Sequence, residues 1–288
     1  MLSLVGIAVV LVMVFGSYLL AGGKMGVVLH ALPHEFMAIG GSAVGALLTG
    51  NSPKVVKKAF GGFGKCIKGS KWKKDDYRDL LCLLFVLTKT MKTKGAVAVE
   101  AHIEKPEDSS IFQKYPRILH DHFALDFICD SLRMITMDMD DPHQLEDVMD
   151  KILEKHHHEG SIPAEALQTM ADGLPALGIV AAVLGVIKTM GSITEPPEVL
   201  GKMIGGALVG TFLGVFLAYG IVGPFANRYK QILHDEGQFY VIIKDTLVAY
   251  LNGNAIQVAV EIGRGSIPTE IQPSFAELES AIDSASSG

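Results

Sequence analysis

The chain has 288 residues, 49% of them hydrophobic and only 7% aromatic, with a formal charge of −6. That apolar share, gathered into long runs, excludes an ordinary soluble globule and predicts membrane helices joined to a soluble part. Cys66, Cys82 and Cys129 stand far apart and are odd in number, which excludes a disulfide framework or a zinc spacing.

Met1 to Gly23 is an uncharged apolar run. Its LLAGG end resembles a signal-peptide cleavage site, but the run lacks a basic start and its apolar part is too long, so it reads as a retained helix. Gly22 to Pro33 reads as a short turn. Phe36 to Pro53 is again uncharged, and Gly40, Gly41, Ser42, Gly45 and Ala46 give it a face for close packing. His34 and Glu35 then stand at the outer mouth of this second helix. His30 and His34 share one helix face at i, i+4, a spacing a metal could use, although interfacial polar residues need no ligand.

A basic run follows, with Lys54, Lys57, Lys58, Lys65, Lys68, Lys71, Lys73, Lys74 and Arg78. Excess Lys and Arg beside a span marks the cytoplasmic side. Arg228 and Lys230 mark the end of a fourth span in the same way. Both termini and a large segment between spans two and three are therefore expected inside, with two short loops outside. The basic run lacks the aromatic interleaving of a nucleic-acid surface, so no nucleic-acid partner is expected. GGFGKC, ending at Cys66, imitates a phosphate loop but fails it twice, with Ala59 at the first glycine position and Cys66 at the hydroxyl position.

Asp75 to about Met170 reads as a soluble helical layer. DYRDLLCLLFVLTKTMKTKG places Leu80, Leu83, Leu84 and Leu87 at helical period, and PRILHDHFALDFICDSLRMI and LEDVMDKILEKHHHEG read as two further amphipathic helices. Adjacent helical residues point in different directions, so His156 to His158 read as a solvated helix end rather than a metal tract.

Ala171 to Pro224 organises the rest of the chain. Leu174 to Met190 is apolar up to Lys188, and Met203 to Asn227 carries no charge. A run of about 20 apolar residues spans the hydrocarbon core as a helix. Gly206, Gly210, Gly214 and Ala218 form one stripe, and Gly178, Ala182 and Gly185 another, which lets two backbones approach. Thr211 stands beside the second stripe with Tyr219 two turns on, as a polar path along the seam. Pro175 and Pro224 are expected at helix ends. An amphipathic helix to about Tyr250, a turning segment, a final FAELESAI segment and an unstructured SASSG complete the chain.

These elements predict an all-α polytopic membrane protein with four transmembrane helices and a helical cytoplasmic domain. The expected divisions are 1–53 (spans one and two), 54–170 (cytoplasmic domain), 171–227 (spans three and four) and 228–288 (C-terminal helix and tail). Spans three and four hold no Asp, Glu or His in their apolar cores. Proton relays through membranes use such residues, so the titrating carboxylate is expected from another chain. No Ser–His–Asp or Cys–His constellation assembles, and neither an enzyme nor a cofactor is expected.

The opening MLSLVGIAVVLVMVFGSYLLAGG, IFQKYPRILHDHFALDFICDSLRMI, LPALGIVAAVLGVI, VGTFLGVFLAYG and the tail PSFAELE together resemble the MotA family, the four-helix stator subunits of the bacterial flagellar motor. The resemblance implies a ring of five copies in the bacterial inner membrane. It would surround a MotB-type one-helix partner that brings the ion-carrying aspartate, and it would push on the rotor protein FliG. It puts the family prolines at Pro175 and Pro224, the channel hydroxyl at Thr211 and the small residue facing it at Ala182. The rotor-contact charges fall on Lys92 and Glu100, with Lys92 where arginine is common and Lys89 and Lys94 able to share the contact. Sodium-type relatives carry threonine where Ala182 stands, so the transported ion is expected to be the proton. The alternatives are an ExbB/TolQ-like energy-transducing subunit, against which the four-helix count argues, and a passive membrane scaffold.

Overall fold

A computed structural model describes residues 2–287. Among these residues the chain is helical throughout, with no strand. The helices are α1 (Leu2–Leu20), α2 (Met25–Gly50), α3 (Pro53–Lys68), α4 (Lys74–Lys94), α5 (Ala96–Glu104), α6 (Pro116–Leu119), α7 (His122–Thr136), α8 (Pro142–Met190), α9 (Pro197–Leu217), α10 (Gly223–Leu251), α11 (Ile256–Gly265) and α12 (Phe275–Ser287). Four stretches are long and apolar enough to cross a membrane: α1, α2, part of α8, and α9 running on into α10. The chain packs into two compact units, one of residues 1–69 and 160–232 and the other of 70–159 and 233–288.

Several helices run through positions that read as breaks. The first turn is confined to Ala21–Lys24, where Gly22 has φ +79°. α2 then starts at Met25 and carries Pro33 inside it. Proline removes one hydrogen bond, and the rest of the turn holds in a membrane helix. Glu35 therefore lies about 15 Å along the helix from Met25, not at its mouth. α8 is one helix of 49 residues through Pro163 and Pro175. His156 lies in mid-helix, its ring stacked on Phe123 at 3.5 Å between centroids, so the histidine tract is not a helix end. α11 and the helical course of α12 through Ser287 replace the turning segment and the unstructured tail.

At Pro224 the helix solves its missing N–H differently. Residues Ala218–Val222 form a π turn, and the Gly223 N–H reaches back to the Ala218 carbonyl. The wider i→i+5 pairing accommodates the proline ring. Pro224 thus lies at the start of α10 rather than at an exit from helix.

The unit of residues 70–159 and 233–288 is built around α4. Leu80, Leu81, Leu83, Leu84 and Leu87 are fully buried against α5, α7, α11, α12 and the Phe239–Leu247 stretch of α10. Trp72 stacks on Phe239 at 3.8 Å between centroids. Burial, with Asp235, Asp76 and Glu236 nearby, pushes the Tyr77 hydroxyl up to about 12. Burial also pushes the Cys82 thiol up to about 11 and Cys129 up to about 12, so both stay protonated and unreactive.

α4 starts on a buried carboxylate. Asp76 is 2% exposed, accepts the Lys73 N–H at 2.7 Å and pairs with Arg117 at 2.7 Å. Arg117 is half exposed and re-solvates when the pair is lost, so the pair is worth less than a fully buried one. Asp76→Ala is expected to destabilise the protein by about 1–2 kcal/mol, mostly through the lost cap. Thermal melting of the purified protein reads this, and an unchanged melt would remove Asp76 from the account of the α4 start.

Candidate functional site

The seam between α8 and α9 is made by missing side chains. A Cβ on Gly214 would lie 2.6 Å from the Leu174 carbonyl oxygen and 2.9 Å from the Gly178 Cα. One on Gly178 would lie 2.9 Å from the Gly210 oxygen, and one on Gly185 would lie 2.6 Å from the Ala207 Cβ. The backbones therefore touch along Gly178–Ala181–Gly185 and Ala207–Gly210–Gly214. This differs from the expected stripes by one residue on each helix: Ala181 replaces Ala182, and Ala207 replaces Gly206. Gly205 and Gly206 instead turn to α2, where Val27 and Ala31 lie 3.0 and 3.8 Å from their would-be Cβ atoms. The α2–α9 packing fixes this rotation, and a single helix read by itself does not contain it.

Ala182 and Thr211 are one step on from the facing pair Ala181 and Gly210. On antiparallel helices such residues turn to the same side of the seam. Both are half-buried. They continue stripes of exposed apolar residues, Ile179 and Val186 on α8 and Leu208, Val215 and Tyr219 on α9 and its π turn. Tyr219 is 70% exposed. The structure thus brings Ala182, Thr211 and Tyr219 to one open apolar face.

Pro175 is half-buried inside α8, and Pro224 is exposed. Pro175 leaves the Ala171 carbonyl without its helical donor. A Cβ on Gly223 would lie 4.0 Å from the Ala171 Cβ, so the two relaxed turns lie side by side.

From the other side of the seam comes a group that sequence reading placed elsewhere. Glu35 of α2 pushes its carboxyl into the notch left by Gly210, whose would-be Cβ lies 2.5 Å from Oε2 and 3.3 Å from the Ala181 Cβ. Oε2 is buried and has no hydrogen-bond partner among the described residues. The available signal was a single carboxylate within a 26-residue apolar helix, hidden by taking Pro33 as a boundary. A cleft of about 550 Å³ opens above it, lined by His30, His34, Glu35, Lys188 and Lys202 among others. Among the described residues, no three His, Cys, Asp or Glu side chains gather as a metal site.

Lys92 and Glu100 belong to the other unit. Lys92 is in the last turn of α4 and Glu100 is in α5, on either side of Gly95 at φ +86°. Both are exposed. Lys89 is only half-exposed, and its Nζ lies 5.6 Å from the centroid of the Phe85 ring.

Four membrane helices, a side-chain-free seam bearing one hydroxyl, and a separate helical unit define a polytopic channel subunit. Residues 119–240 match the MotA/TolQ/ExbB proton channel family, and residues 4–95 match the motility protein A N-terminal family. Motility protein A of Escherichia coli (strain K12) is 41% identical over 279 residues, which cover 97% of this chain and 94% of that protein. Chemotaxis protein LafT of Vibrio parahaemolyticus is 37% identical over 97% of both chains. The chain belongs to the MotA family, the stator subunits of the flagellar motor. Two solved structures share its fold. The C. jejuni MotAB structure has a TM-score of 0.73 at 18% identity, covering 95% of this chain and 98% of that one. The flagellar MotAB stator complex of Bacillus subtilis has a TM-score of 0.71 at 23% identity, covering 96% and 100%.

A buried carboxyl oxygen with no partner beside a channel seam is either a packing fault or a proton site. Glu35→Gln keeps the shape and removes the titration. It is expected to leave thermal stability unchanged and to lower proton flux through the assembled complex several-fold. Gly210→Ala, which displaces the carboxyl, is expected to act in the same direction. Wild-type flux in Glu35→Gln would reduce Glu35 to packing.

Proposed function

We propose that five copies of this chain surround the membrane helices of a MotB-type partner and pass protons to a carboxylate which that partner carries. The flow turns the ring, and its soluble unit pushes on the rotor protein FliG. The chain lies in the bacterial inner membrane with both termini and the large inner segment in the cytoplasm. The lysines after α2 and Arg228 and Lys230 in α10 support that orientation.

The observation that carries the reading is the open face of the seam. Ala182 and Thr211 sit there among Ile179, Val186, Leu208 and Val215, apolar surface of the kind a partner helix covers. Neither α8 in its apolar part nor α9 in its core offers a carboxylate on that face. A partner helix docked there would bring its acid beside the Thr211 hydroxyl. Glu35, behind the seam, gives this chain one carboxylate of its own near the path. Because it faces α9 from α2, it does not replace the partner's acid.

The ion follows from the ligands. Sodium must be held by several oxygens at once, whereas a proton needs one hydroxyl, a carboxylate and bridging water. The methyls of Ala181 and Ala182 supply no oxygen, and Thr211 supplies one. No catalytic group and no cofactor enter this mechanism.

Lys92 and Glu100 are the charges proposed to meet the rotor. Neither forms an ion pair among the described residues, whereas Glu104 is held by Arg133 at 2.9 Å. With Lys89 laid over Phe85, the basic side of the contact rests on Lys92 and Lys94.

Liposomes holding this chain alone are expected to keep a pH gradient, and those holding the complex to lose it. Flux from the chain alone would overturn the borrowed carboxylate. Swimming should be indifferent to exchange of sodium for potassium and should stop with a protonophore. Motility that follows external sodium and survives the protonophore would reverse the choice of ion.

Exposed ion pairs are worth about 0–1 kcal/mol each. Neutralising Lys92 or Glu100 singly is therefore expected to slow swimming only in part, and charge reversal should slow it more, because like charges repel. Normal motility with both reversed would remove them from the rotor contact.

A further inference from the structure

α3 has no part in the seam, yet it is the most strongly divided helix of the chain. It follows α2 after only Asn51 and Ser52. Val56, Ala59, Gly62 and Cys66 make its buried strip. That strip packs on α10. The Tyr229 ring lies 2.6 Å from where a Gly62 Cβ would be, the Cys66 thiol donates to the Phe225 carbonyl at 3.5 Å, and the Phe63 and Phe225 rings are 4.9 Å apart. α3 also touches α1 and α2, so it lies against the ends of membrane helices.

At about 100° per residue, Lys54, Lys57, Lys58, Lys65 and Lys68 all fall within an arc of about 100°, nearly opposite the buried strip. No acidic residue occurs anywhere in α3 to neutralise them. Arg228 of α10 adds a cation near Cys66. Between the lysine arc and the buried strip, on one flank, stand Phe60 and Ile67, exposed at 46% and 45%.

A surface helix in water has no use for an apolar flank beside an arc of lysines. A helix lying in the headgroup layer has a use for both. Its apolar flank enters the acyl boundary, and its lysines extend to phosphates while their stems cover apolar surface. Tethering by two residues to a membrane span holds α3 at that depth. We propose that α3 is a binding site for anionic phospholipids, in which Lys54, Lys57, Lys58 and Lys68 take the headgroup phosphates and Phe60 and Ile67 sit among the first acyl carbons. This rests on the membrane placement of α2 in the reading above and is independent of ion conduction.

The test uses the complex of the full chain with its partner subunit, in nanodiscs of phosphatidylethanolamine and phosphatidylglycerol, with no ion gradient. Lipid retained by the complex is counted by mass spectrometry. Phosphatidylglycerol is expected to be enriched, and the enrichment should fall with salt. A lysine near an anionic surface contributes about fivefold in affinity, so Lys54→Gln, Lys57→Gln and Lys58→Gln combined are expected to lower it on the order of 100-fold. Phe60→Ser with Ile67→Ser should weaken both lipids alike. If the triple variant does not assemble, Phe60→Trp in an otherwise unchanged chain gives a second readout. Its fluorescence should be quenched by brominated phosphatidylglycerol beyond any quenching of the parent chain.

Equal retention of the two lipids by the parent complex, or an unchanged preference in the triple variant, would overturn the proposal. So would displacement by inorganic phosphate beyond that by chloride at equal ionic strength, which would mark a site for soluble anions. A complex that binds lipid as expected but conducts no protons would sink the stator reading and leave this one standing.

Discussion

Two helix backbones in contact within the membrane set the terms for everything else in the first unit. In lipid there is no hydrophobic drive to bring helices together, so close packing has to supply the attraction. Gly178 against Gly214 and Gly185 against Ala207 supply it by keeping every side chain larger than a methyl off the line of contact. Once that line is fixed, the neighbours have no freedom. Thr211 and Ala182 must turn to the open side, and Gly206 must turn to α2. The vacancy at Gly210 is what lets Glu35 enter from α2. A larger residue at any of these positions would change the face that Thr211 presents.

The same pair of helices is softened at one level. Pro175 frees the Ala171 carbonyl, and Pro224 converts the turn before it to π pairing, with Ala171 and Gly223 in contact between them. Each site lacks an ordinary i→i−4 bond, which is where a helix bends at least cost. The tight glycine contacts begin immediately beyond, at Leu174 and Gly214. Stiff contact along the seam next to a compliant level is a suitable arrangement for a channel-family subunit that would change shape as charge moves, without loosening the seam itself.

Much of the architecture was legible because it rests on composition. The four spans follow from apolar length, and α4 follows from leucines at helical period, all of them buried. What was not legible depends on a second helix. One member of each small-residue stripe was read wrongly, Ala182 for Ala181 and Gly206 for Ala207, because the contact line is set by α2 packing on α9. Pro33 and Pro175 read as breaks, although each costs one hydrogen bond in a helix that is otherwise supported. The segment holding Gly263 read as turning, but it is the helix α11, and a glycine is needed there because a side chain would strike Leu81 and Thr246. Glu35 was visible as a residue and misplaced as a site, since its depth follows from where α2 starts.

The charges divide along the same logic. In the unit of residues 70–159 and 233–288 several charges hold the structure: Asp76 pairs with Arg117, Glu104 and Asp130 with Arg133, and Asp150 with Lys244. Lys92 and Glu100 are not among these pairs; Lys92 stands in the last turn of α4 and Glu100 in the middle of α5. α4 packs on α5, α11 and α12, so a force applied at Lys92 would enter a packed helix rather than a yielding loop. Gly95, held at φ +86°, joins α4 to α5 with no loop between them. The rotor contact proposed for these two charges would bear on this joined helix pair, so even a weak, exposed contact would transmit load. Its weakness would let it be made and released repeatedly.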